Sequence, residues 1–385
     1  MPFSFVIDAA ALLETLTRTA RFVGKDNGNT IRTCVLLVAA ADGVTLEAGD
    51  GRVDFVSAPV PANVHTPGRI AIAATALLAA VKAVGGGTLT MNYRQEAEGT
   101  APKCQLTAPG VSYTLTGIAA GAFPAGPDAS GPVFTFTAAD LCRVFGAVTA
   151  CIAPDDNRYG LNGVHLELRT SEGADGKARF VATDGNRLAW DECGVQGDAT
   201  IPRKCILPRQ AVAALSTLLA GMDGPVTVTP ADKAIHFASN MGIVRARWTE
   251  ADFPDYRQVL PGNPKGPFVT INREALIRAI DRAIPFAGGN DKSVKVQIGT
   301  DGLTMTTRML DVGEGMIEVP AEVTGEPQVI GLNGRYLRET AGSMSGETVA
   351  FAFSGPLSPV YVVTAGDVFN VNAARLNVLM PLRLD

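Results

Sequence analysis

The stretch FSFVIDAAALL (residues 3–13) changes its period halfway: Phe5 and Ile7 alternate as on a strand, and Leu12 then follows at helical spacing. The same change recurs in VFTFTAADL (133–141), with Phe134, Phe136 and Leu141, and in FVTINREAL (268–276), with Val269, Ile271 and Leu276. A unit of strand then helix, used three times, governs every later assignment.

Downstream of each opening lies an alternating segment broken by Asp-Gly, at Asp42, Asp175 and Asp301. Asp-Gly between β-rich runs predicts a hairpin, because glycine tolerates the positive φ of a tight turn. A second helix follows in each repeat, at ATALLAAVKAV (74–84), PRQAVAALSTLLAG (208–221) and NGRYLRETAGSM (333–344), and strands then return. Two repeats close alike, around Phe123-Pro124 and Phe253-Pro254, and Pro/Gly-rich stretches mark their ends. We expect three domains, 1–127, 128–262 and 263–385, each with its own core. Two helices and about eight strands per repeat predict an α+β fold, with helices segregated on one side of antiparallel sheets.

The chain has 385 residues, 46% hydrophobic and 18% charged, which excludes a disordered polypeptide. No stretch reaches the apolar length of a membrane span, and the N-terminal residues lack a signal-peptide pattern, so a cytoplasmic protein without a membrane partner is expected. The six cysteines form no CxxC pair and lie in apolar surroundings, as buried free thiols do.

Formal charge is −5, which argues against a nucleic-acid partner until its distribution is considered. Helices taken as 7–25, 74–84, 137–149, 208–221, 272–283 and 333–344 carry eleven basic residues against six acidic ones, leaving 22 against 32 elsewhere. If the helices share a face, phosphate backbone is its natural partner. Solubility alone also places Arg and Lys on helices, so both readings stand.

Four segments are similar to the bacterial sliding clamp family, the β subunit of DNA polymerase III: DNRYGLNGVHLE (156–167), ATDGNRLAW (182–190), FPDYRQVLP (253–261) and VLMPLRL (378–384). Their order, together with the triple repeat, extends the resemblance over the full chain. It implies a homodimer closed head to tail into a ring lined by helices, encircling double-stranded DNA without sequence preference. It also implies a cleft between the second and third domains for short Gln/Leu/Phe-rich motifs. The partners implied are the replicative polymerase catalytic subunit, the clamp loader, repair polymerases, ligase and mismatch-repair proteins.

By motif, the resemblance assigns to the cleft Leu161, Thr183, Gly185, Asn186, Arg187, Leu188, Pro254, Gln258 and Val259. Asn333, Tyr336, Val378, Met380, Pro381, Leu382 and Arg383 complete the set. Read without the resemblance, Leu161, Val259 and Met380 belong in a core. Lys25, Arg158 and Tyr159 are implied DNA contacts, joined by the helix residues Arg209, Arg278 and Arg282, while Tyr113, Leu115 and Phe286 are implied at the dimer contact. The sequence departs from the common pattern at Gly160, Asn186, Gln258 and Asp385.

Catalysis is not expected. His65, His165 and His236 stand in unrelated contexts, with no HExxH, GxxxxGK[ST] or GxSxG motif. Gly85–Gly87 follows a helix, the wrong order for a phosphate loop. Asp42, Asp50, Asp184 and Asp301 each adjoin glycine in an expected turn. No cofactor or metal is therefore expected. A clamp paralogue serving repair or drug resistance, and a β-rich enzyme, are the competing readings.

Overall fold

The computed structural model describes all residues except 1–2, 26–29, 95–99, 125, 127–128, 130–132, 155–159, 170–175, 198–204, 232, 261–263, 265, 290–291, 368, 370–371 and 385. Among the described residues are six α-helices: α1 (Ala9–Thr19), α2 (Ala74–Val84), α3 (Ala138–Val148), α4 (Arg209–Leu219), α5 (Arg273–Ala283) and α6 (Gly334–Ser343). Each follows a strand directly. Asp8 ends the first strand and caps α1 by accepting from the Ala11 N–H at 2.9 Å, while Asn272 and Asn333 cap α5 and α6.

The first helix is shorter than the 7–25 read from the sequence. Ile7 belongs to the strand Ser4–Asp8, and beyond Thr19 the chain tightens into a 3-10 turn, Ala20–Phe22. Asp8, Arg21 and Lys25 thus fall outside the helices, which carry nine basic and five acidic residues. Gly85 closes α2 at φ 77°, so the glycine run is a helix stop. The hairpins at Asp42 and Asp301 form as antiparallel pairs; the Asp175 turn lies outside the described residues.

Two compact units divide the chain. Unit 1 comprises Met1–Ala139, Gln196–Thr200 and Gln210–Trp248; unit 2 comprises Asp140–Val195, Ile201–Arg209 and Thr249–Asp385. The middle repeat is divided because its strands pair beyond its own boundaries. In unit 1, Gly242–Arg247 joins Val53–Ser57 of the first repeat, inside one thirteen-stranded antiparallel sheet. Gly242 sits at φ 132°, where an added Cβ would lie 2.2 Å from the Val56 carbonyl oxygen. Only glycine admits that approach.

In unit 2, Arg187–Val195 joins Arg375–Leu379 of the third repeat within a nine-stranded sheet, beside a separate four-stranded one. Asp191 opposes Arg375 across this seam and is bonded by Arg143 at 2.6 Å and by Arg375 at 3.3 Å. Burial raises the Asp191 carboxyl and lowers the Arg375 guanidinium, and the charge of each partner opposes the other's shift. The expectation of one core per repeat holds for the third, whose own core includes Leu276, Ile280 and Val349, but Val181, Leu188 and Trp190 of the middle repeat share a core with Val363, Leu376 and Val378. Strands that alternate apolar and polar residues can bury one face jointly with any neighbour of matching pattern. All six cysteines are unpaired, and five are buried.

Candidate functional site

The turn Thr183–Arg187 joins two strands of unit 2 and holds its own shape. The Thr183 hydroxyl donates to the Arg187 carbonyl at 2.7 Å and accepts from the Gly185 N–H at 3.1 Å. Asp184 accepts from the Asn186 and Arg187 N–H groups at 2.9 and 3.0 Å, and Gly185 takes φ 90°. The Asn186 carbonyl then accepts from the Met380 N–H at 2.9 Å, which fixes the final segment beside the turn. Farther along, Leu382 bridges to Gly331, where an added Cβ would sit 2.7 Å from the Leu382 oxygen.

A second wall comes from residues 252–259. Asp255 caps the 3-10 turn Tyr256–Val259, and the Tyr361 hydroxyl donates to the Val259 carbonyl at 3.3 Å. Phe253 stacks on the His165 ring, with centroids 4.8 Å apart and planes 11° from parallel. Beneath it, Tyr256 donates to Glu167 at 2.8 Å and Arg257 pairs with the same carboxylate. Burial alone would raise the Glu167 carboxyl, but these two hydrogen bonds bring it below its ordinary value. The His165 imidazole is lowered by burial. A Cβ at Gly160 would lie 2.5 Å from the Asp252 carbonyl oxygen, so glycine lets this wall close.

Between the walls lies a cavity of about 430 Å³. Leu161, Leu188, Pro254, Val259, Val378 and Met380 give it an aliphatic lining, with Thr183, Gly185 and Arg187 at its edge. Those nine were named from the sequence; Gly160, Asp252, Phe253, Asp255 and Tyr256 line it too and were not. Phe253 and Tyr256 flank the very Pro254 that was named, so the signal lay inside the motif.

Seven other named residues are not on the lining. Asn186 acts through its carbonyl, Asn333 caps α6, and Tyr336 lies under the Arg187 guanidinium at 4.1 Å. Gln258 and Arg383 are exposed, and Pro381 and Leu382 are half-buried beyond the cavity. The chemistry on offer is reversible burial of apolar side chains, each worth about 1.5–3 kcal/mol.

Of the basic residues read as DNA-facing, Lys25, Arg278 and Arg282 are exposed, the latter two one helical turn apart on α5. Arg209 is half-buried and donates to the Ile152 carbonyl, which leaves less of it for a ligand. Arg158 and Tyr159 lie outside the described residues. Tyr113 and Phe286 are exposed and Leu115 is half-buried. Near Phe286 the sequence reading missed Leu310 and Met316, 77% and 71% exposed, in the hairpin formed by Gly302–Met309 and Gly313–Pro320. The strand Gly313–Pro320 ends its sheet, and residues 111–116 of Val111–Ala119 pair on one side only among the described residues.

Among the described residues no cluster of His, Cys, Asp and Glu could hold a metal ion, and no helix is long and apolar enough to cross a membrane.

Family models for the DNA polymerase III beta subunit match in three successive parts: the N-terminal domain at residues 3–124, the central domain at 135–255 and the C-terminal domain at 257–382. The beta sliding clamp of Caulobacter vibrioides is 28% identical over 98% of this chain and 99% of its own. That of Pseudomonas aeruginosa is 28% identical over 99% and 100%. Among solved structures, the C. crescentus beta sliding clamp superposes with a TM-score of 0.90 at 28% identity, covering 100% of this chain and 99% of that one. The Bartonella birtlesii sliding clamp bound to griselimycin gives 0.89 at 26% identity, covering both chains fully.

Proposed function

The chain belongs to the DNA polymerase III beta subunit family, and from that premise we propose that two copies close around duplex DNA and present the unit 2 cavity to partner peptides. Its function is that of a non-catalytic sliding clamp, which confers processivity by tethering rather than by chemistry. The observation that carries the peptide reading is the aliphatic cavity bounded by the 183–187 turn, the 252–259 wall and Met380. Two or three apolar anchors there give roughly micromolar binding after ordering costs, weak enough for partners to exchange.

The named cleft residues off the lining, Asn186, Gln258, Asn333, Tyr336, Pro381, Leu382 and Arg383, then shape or flank the groove. Partners taken are the replicative polymerase, the clamp loader and repair proteins, through short motifs, in the cytoplasm. Domain limits at 127/128 and 262/263 agree with the glycine- and proline-rich stretches there. For the dimer, Tyr113 and Leu115 of one copy meet Phe286 of the other, and the exposed apolar Leu310 and Met316, in the hairpin that approaches Phe286 at Gly315, support the choice of surface. Lys25, Arg278 and Arg282 face DNA through phosphate contacts, which position without reading sequence, with Arg158, Tyr159 and Arg209 adding to them.

One experiment tests the whole reading. Loaded protein should remain on closed circular DNA in high salt and be lost on linearisation, because topology holds it while direct affinity falls steeply with salt. Equal loss from circular and linear DNA, or a persistent monomer at micromolar concentration, overturns it.

A further inference from the structure

Arg187 lines the cavity, yet none of the groups that its guanidinium touches does. Nε donates to Asp184 at 3.0 Å, Nη1 to Glu339 at 2.5 Å and Nη2 to the Ala150 carbonyl, while the Tyr336 ring covers one face at 4.1 Å. Only 8% of the residue is exposed. Three of its five N–H donors are thus occupied, one on each nitrogen.

Two carboxylates meet this one cation, and they differ in what they secure. Asp184 belongs to the same turn as Arg187 and moves with it. Glu339 stands on α6, next to the ring on which the guanidinium rests, and so fixes the direction in which the arginine points. Without Glu339 the Nη1 end loses its partner, and the Asp184, Ala150 and Tyr336 contacts that remain leave that end able to turn toward Leu188 and Met380, which line the cavity. A charged group there raises the cost of burying an aliphatic anchor.

We propose that Glu339 is a positioning residue that holds Arg187 against Tyr336, and thereby keeps the cavity apolar and open for its ligand. The proposal rests on the peptide reading of that cavity. Its direct consequence is that the effect of Glu339 depends wholly on Arg187 being present.

The test uses the full-length protein and a synthetic Gln-Leu-Phe-type peptide, with affinity measured by calorimetry. Glu339→Ala should weaken the peptide about five- to tenfold, which is 1.0–1.4 kcal/mol at 25 °C. Glu339→Asp should recover part of the loss. In an Arg187→Ala background the same Glu339→Ala change should have no further effect, a non-additivity that a merely structural role for α6 does not produce. Should Glu339→Ala lower the melting temperature, Glu339→Met, which keeps the length of the side chain on α6 but removes the acceptor, provides the same comparison in a folded protein. Unchanged affinity in both variants, or equal losses with and without Arg187, overturns the inference. Absence of peptide binding by the unsubstituted protein overturns instead the peptide reading itself.

Discussion

Two seams join strands of different repeats, one in each unit, and a pocket lies near each. In unit 1, Asn240 and Met241, just before the seam strand Gly242–Arg247, share a space of about 210 Å³ with Ala58, Pro59 and α1. Its lining includes Glu14 and Arg18, bonded to each other at 2.8 Å. In unit 2 the cavity is about twice that volume, and its arginine is bonded behind the wall. Sheet continuity alone therefore does not make a site. The ion pair inside one pocket leaves it polar, whereas the pairs outside the other leave it apolar.

Removing residues 380–385 should erase the difference most completely. It deletes Met380 together with the Met380–Asn186 and Leu382–Gly331 bonds, so peptide binding should fall below detection by calorimetry while sedimentation still reports a dimer. Retained affinity would place the ligand elsewhere. Asp191→Ala should come next. It strands the buried Arg375 and should cost about 3 kcal/mol in denaturant unfolding, since breaking a buried pair leaves an uncompensated charge.

At the other seam, Gly242→Val should cost about 2 kcal/mol through backbone strain and the clash with Val56, and should leave peptide affinity unchanged. A loss of affinity there would mean the two seams are coupled. Met380→Ala should weaken the peptide by about 1–2 kcal/mol through lost apolar contact, with stability nearly constant. The smallest effect concerns pH. Burial lowers the His165 imidazole in the folded wall, whereas the unfolded chain binds a proton at about the ordinary 6.5. Stability is therefore full above that value and declines as pH falls through it toward the lowered folded pKa. His165→Asn should flatten the decline of unfolding free energy below pH 6.5, and an unaltered profile would discount the imidazole.

Local features of both units are legible in the sequence. The change of period at Ile7, Phe136 and Ile271, and the glycine stop at Gly85, are contained within a few residues and need no partner to be read. The pairing of Gly242 with Ser57, and of Asp191 with Arg375, was not legible. Alternation tells which face of a strand is apolar but not which strand lies beside it. The same limit applies to the cavity: the motifs contain Leu188, Met380, Phe253 and Tyr256, but not the contacts with His165 and Glu167 that anchor Phe253 and Tyr256 in its wall. Alternation does not mark Leu310 and Met316 as exposed either, since an apolar residue in a hairpin is as readily buried.

The cysteines have a practical consequence. Burial pushes the thiols of Cys104, Cys151, Cys193 and Cys205 up to about 12, which makes them poor nucleophiles near neutrality, and Cys34 is also buried. Cys142 on α3 alone among the six is partly open to solvent. A maleimide dye added to the native protein should therefore settle chiefly on that helix, giving each chain one fluorescent mark without mutagenesis.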